Sequence, residues 1–112
     1  MEATRSPIDT DDALVRDVVA QVVAEADPLR VVLFGSRAMG TARPDSDIDL
    51  LVVMPDGTER RRSAARIASR LPIYDVDVDL LVATPAVLAR HADEPGFVYR
   101  TVLRSGRDIY AV

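Results

Sequence analysis

At 112 residues, with 48% of them hydrophobic and few aromatics, the chain is sized for a single domain whose core must come from Val, Leu, Ile and Ala. The absence of cysteine excludes disulfides, thiolate metal sites and a cysteine nucleophile. A net charge of -4 speaks against a general nucleic-acid coat, which is usually basic, so no direct nucleic-acid binding is expected.

Met1-Glu2-Ala3-Thr4-Arg5 lacks the apolar core of a signal peptide, and no later run is long enough to cross a bilayer. A cytoplasmic protein without membrane contact is therefore expected. The first helix is predicted over Asp9 to Ala26. Leu14, Val15, Val18, Val19, Val22 and Val23 recur on one face, and Asp9, Thr10 and Asp11 serve as capping and first-turn residues. Val31 to Phe34 is a short apolar run between turn residues, which suits a buried strand. Gly35-Ser36 breaks it, Arg37 to Thr41 forms a short helix and Ala42 to Ser46 a loop.

Ile48 to Met54 is predicted as the second strand, closed by Pro55-Asp56-Gly57. Thr58 caps a helix to about Leu71, which Pro72 stops. Its arginines, Arg60, Arg61, Arg62, Arg66 and Arg70, read as a solvated face with charge partners such as Glu59. Val76 to Ala83 is the third strand, and Thr84-Pro85 opens a helix to about His91. A turn over Asp93-Glu94-Pro95-Gly96, a helix over Phe97 to Arg104, a stop at Gly106 and a short strand or tail over Asp108 to Val112 complete the chain. The order is that of an α/β (α+β) protein in one domain over residues 1–112.

Three features carry chemistry. Gly35-Ser36 follows a strand and opens a helix; glycine permits a tight turn and close approach, and the helix start offers N–H groups to a phosphate. Asp47 and Asp49 lie two residues apart at the start of an apolar strand, so their carboxylates share a face. Two like charges so placed call for a counter-charge, and Mg²⁺ takes hard oxygen ligands of this kind. Asp77-Val78-Asp79 on the next strand offers a third carboxylate. Three carboxylates around one or two Mg²⁺ ions suit in-line nucleotidyl transfer.

The stretch from Gly35 to Leu50, Gly-Ser followed by ten residues and then Asp-x-Asp, resembles the signature of the DNA polymerase β-like nucleotidyltransferase superfamily. The ending Ser46-Asp47-Ile48-Asp49-Leu50 and the segment Val78 to Pro85 resemble its minimal nucleotidyltransferase branch. The resemblance spans roughly residues 30 to 110. It implies a small mixed sheet flanked by helices. It also implies phosphate or nucleotide binding at Gly35, Ser36 and Arg37, and catalytic metal ligation of Mg²⁺ by Asp47, Asp49 and Asp79, with ATP or another nucleoside triphosphate as substrate. Asp77 shares the face of Asp79 and is its rival; Asp79 is preferred from its distance to Thr84-Pro85. Met39 departs from the polar or basic residue often found there. Members of this branch are commonly paired with a helical toxin of the HEPN type, a ribonuclease. The resemblance therefore implies an antitoxin that transfers AMP to a hydroxyl of that protein partner, the alternative being a non-catalytic antitoxin that binds and occludes it. No acceptor-binding domain is read in these residues, so another chain is expected to supply the acceptor; a homodimer stays open.

Overall fold

The computed structural model describes residues 8–91 and 98–112. In chain order it forms α1 (Ala13–Ala26), β1 (Arg30–Phe34), α2 (Ser36–Met39), β2 (Ile48–Val53), α3 (Arg60–Arg70), β3 (Val78–Ala83), α4 (Pro85–His91), α5 (Val98–Ser105) and β4 (Arg107–Ala111). The turn expected over Asp93 to Gly96, and Phe97, lie outside the described residues.

The four strands make one sheet in the order β3-β2-β1-β4. β1 runs antiparallel to both β2 and β4, while β2 and β3 are parallel. The sheet is therefore mixed, as the resemblance implies. Parallel pairing requires a crossover, and α3 supplies it between β2 and β3.

Alternation along the strands splits the core in two. Ile48, Leu50 and Val52 of β2 and Val82 of β3 face α1 and α3, where Val15, Val18, Val19, Val22 and Ile67 meet them. Leu51, Val53 and Ala83 face the other way, against Leu88 of α4 and Tyr99 and Val102 of α5. Each fully buried Val or Leu contributes about 1.5–3 kcal/mol.

Element ends depart from expectation where tertiary contacts decide them. α1 begins at Ala13, because Asp12 is its cap and accepts from the N–H groups of Leu14 and Val15. Asp9 is instead tied sideways to β4, donating its N–H to the Ile109 carbonyl at 2.8 Å. α3 is capped by Glu59, which accepts from Arg61 and Arg62, while Thr58 donates its hydroxyl to the Pro55 carbonyl within the preceding turn. β3 begins at Val78, opposite Ile48, because its partner strand begins there.

Candidate active site

Gly35 links β1 to α2 with φ 75°, a conformation L side chains rarely adopt. It is also where the chain passes closest to Asp49: a β-carbon on Gly35 would overlap the Asp49 carboxylate and stand 3.2 Å from its Cγ. The register explains the approach, since Phe34, the residue before Gly35, is paired with Asp49. The glycine is thus demanded twice, by backbone conformation and by a neighbouring carboxylate. Ser36 follows as the first residue of α2, where the opening N–H groups of Ser36 and Arg37 have no carbonyl within the helix to bond.

Asp49 is also paired with Asp79 across the parallel β2–β3 ladder. The residues before the two strands, Asp47 and Asp77, extend the same rows, and both are exposed. Odd-numbered positions of β2 and β3 face the α4–α5 side, so Asp49 and Asp79 lie on that side of the sheet at the end where β2 and β3 start, with Asp47 and Asp77 immediately before the two strands. Asp79 is in register with Asp49 and within hydrogen-bonding reach of it, whereas the Asp77 carbonyl accepts the Ile48 N–H where the ladder starts.

Asp49 is half buried, and its carboxyl is pushed above the ordinary carboxylate range. Burial is the first cause; the adjacent Asp79 carboxylate and then Asp47 add to it. The charged neighbours that act on Asp49 are carboxylates, which offer hard oxygens, and a divalent cation of the Mg²⁺ type fits that chemistry. Among the described residues no three acidic or imidazole groups already stand in ligating geometry, so a cation would draw the carboxylates together.

Arg37, expected at the phosphate, makes its described hydrogen bonds to protein. Nη1 donates to Asp12 Oδ2 at 2.8 Å, Nε and Nη2 to the Ser46 carbonyl, and Nη2 to the Pro44 carbonyl at 3.0 Å. Only 6% of its side chain is exposed. It ties α2 to the cap of α1 and to the loop that delivers Asp47. The sequence reading missed this role and missed Asp12; an acid three residues ahead of Val15, the first buried valine of α1, was the available signal for the cap.

Gly35→Ala should cost about 1–3 kcal/mol for the backbone conformation alone, and more for the overlap with Asp49. Thermal melts check this. The overlap predicts that Asp49→Ala added to Gly35→Ala recovers part of the loss, a coupling that independent sites would not show.

A small mixed sheet that sets strand-borne carboxylates against a Gly-Ser turn defines a class of proteins that move phosphoryl or nucleotidyl groups. The chain belongs to the nucleotidyltransferase domain family, whose model matches residues 15–83. It is similar to a solved structure from Sulfolobus solfataricus assigned as a nucleotidyltransferase, with 29% identity over 69% of each chain and a TM-score of 0.53. It is also similar to a chain of a toxin–antitoxin structure solved with AMP-PNP, with 25% identity over 86% of this chain and 73% of that one and a TM-score of 0.50. No curated protein matches it.

Proposed function

We propose that the chain transfers AMP from ATP to a hydroxyl of a protein partner, as the antitoxin of a pair whose toxin is of the HEPN type. The observation that carries the catalytic reading is the placement of Asp49 against both Gly35 and Asp79. Similarity to a toxin–antitoxin structure holding AMP-PNP, an ATP analogue, supports the nucleotide and the kind of partner.

Asp47 and Asp49 would hold Mg²⁺, with Asp79 completing the set. When bound, the cation neutralises the triphosphate and acidifies the acceptor hydroxyl. Gly35 keeps the turn close to the carboxylates, and Ser36 presents its hydroxyl and N–H to the phosphates. The acceptor oxygen attacks the α-phosphorus and displaces pyrophosphate, while its proton passes to Asp79. That carboxylate is exposed, on the open end of the sheet face that a partner's hydroxyl would approach.

The test is label transfer from α-³²P-ATP with Mg²⁺, with and without the natively co-purified partner, beside Asp47→Asn/Asp49→Asn. Label on the partner that disappears in the variant is the expected result. A tight complex with no label in any sample would replace transfer by occlusion of the toxin.

A further inference from the structure

A nucleotide at this site brings a triphosphate, and Mg²⁺ offsets only part of its charge. The surroundings add more negative charge: Asp45, Asp47, Asp75, Asp77 and Asp79, at or just before the starts of β2 and β3, are all exposed. The phosphates therefore need a cation from the chain itself. Arg37 cannot supply it, because its guanidinium is held by Asp12, Pro44 and Ser46. Between Ser36 and Asp47 the sequence holds one other basic residue, Arg43.

Arg43 is exposed, and its guanidinium has no hydrogen-bond or ion-pair partner among the described residues. Its backbone, by contrast, is pinned. Ser46 donates its N–H to the Arg43 carbonyl at 3.0 Å and accepts the Arg43 N–H on Oγ at 2.8 Å, which closes a β-turn with Pro44 in its second position. Arg37 clamps the same turn through the Pro44 and Ser46 carbonyls. Both ends of the turn are tied to the site. Thr41, two residues before Arg43 and so at most about 7 Å away, donates its N–H to the Ser36 carbonyl at 3.1 Å. Asp47 directly follows Ser46. Arg43 is thus mounted on a fixed bridge from Ser36 to Asp47.

The sheet order decides which end of the nucleotide lies nearest this bridge. Asp79 stands on β3, Asp49 on β2, and Phe34, which leads into Gly35, on β1, in that order across the sheet. In-line transfer puts the attacking and leaving oxygens on opposite sides of the α-phosphorus. With the acceptor entering beside Asp79, pyrophosphate departs toward β1 and the bridge that continues from it. We propose that Arg43 binds the β- and γ-phosphates of the nucleotide and the departing pyrophosphate. This role rests on the transfer proposed for the site. As the acceptor oxygen bonds to the α-phosphorus, the bond from that phosphorus to the bridging oxygen breaks, and its electron pair stays on pyrophosphate. The guanidinium offsets the charge that gathers there and gives up no proton. Arg37 holds the turn, and Arg43 is the arginine that the turn presents to the ligand.

Isothermal titration of the whole chain with AMP-PNP, and separately with pyrophosphate, both in Mg²⁺, tests the contact. Arg43→Gln is expected to bind each at least about tenfold more weakly than wild type, the loss of one charge-assisted contact. Its Tm without ligand should be unchanged, since Ser46 and Arg37 hold the turn. Arg43→Lys should recover part of the affinity, a point charge standing in for the fork. Arg66→Gln removes the same charge from an exposed position of α3, which packs on the other face of the sheet from Asp49, and should bind as wild type. Wild-type affinity for both ligands in Arg43→Gln overturns the proposal. So does an equal loss in Arg66→Gln, which would make net charge the cause. A wild-type chain that binds neither ligand overturns the nucleotide reading and this role with it. A chain that binds both through Arg43 but transfers no label would refute the transfer and leave the phosphate contact standing.

Discussion

Asp49→Asn is expected to abolish nucleotidyl transfer and, without divalent cation, to make the fold more stable. The two effects have one cause. Asp49 is half buried between Asp79, Asp47 and the Gly35 turn, with its carboxyl pushed up first by burial and then by those neighbours. A carboxylate disfavoured in the fold weakens it once ionised, and asparagine keeps the shape while removing the charge. Transfer should fall by about 10²–10⁴-fold, the range lost when a charge-positioning or proton-transferring group is removed. Melts in chelator should place Asp49→Asn above wild type, and added Mg²⁺ should raise wild type but not the variant, because ligand binding to the folded state stabilises by mass action. A variant less stable than wild type in chelator would mean that the carboxylate is held by favourable contacts. Asp47→Asn should lose transfer with a smaller stability gain, since Asp47 is exposed.

Local pattern made much of this legible. The apolar runs of β1 and β2, the Gly-Ser break and the two-residue spacing of Asp47 and Asp49 are written in consecutive residues, and the structure places them as strands, turn and shared face. What consecutive residues do not write is pairing. Whether Asp77 or Asp79 stands beside Asp49 depends on the β2–β3 register, which is set by side chains of both strands and by α3 between them. The onset of α1 was misplaced for a related reason: Asp9, a good cap by type, is drawn out to the Ile109 carbonyl of β4, a residue remote in sequence. The bond between Arg60 and Tyr99 joins residues 39 apart, from opposite faces of the sheet, and a helix drawn alone shows Arg60 only as part of a solvated face.

Arg37 gives the other large effect, and it falls on the scaffold. Its guanidinium is almost wholly buried and joins the Asp12 carboxylate to the Pro44 and Ser46 carbonyls. Arg37→Met keeps the apolar stem but leaves those acceptors without their donor. Removing one partner of a buried charged pair costs about 3–5 kcal/mol; with Asp12 partly exposed, about 3 kcal/mol is expected here. For a domain of this size that lowers Tm on the order of 10–20 °C. Arg37→Lys should not restore it, because a single ammonium cannot span acceptors that the planar fork reaches together. Acid supplies a second readout. Burial works against ionisation of Asp12, but the Val15 N–H, Arg37 and the Leu14 N–H outweigh it and hold the carboxyl below its ordinary value. A carboxyl depressed in the fold stabilises above its unfolded value, and that contribution is lost as pH falls through the folded one, here below about pH 4. Wild type should therefore lose more Tm on acidification than Arg37→Met, in which much of the cause is already gone. A variant with unchanged Tm and a raised KM for ATP would put Arg37 at the phosphate instead. The expected pattern, a lower Tm with transfer reduced in step with the folded fraction, would establish that the arginine holds the Asp47 loop against the Gly-Ser turn.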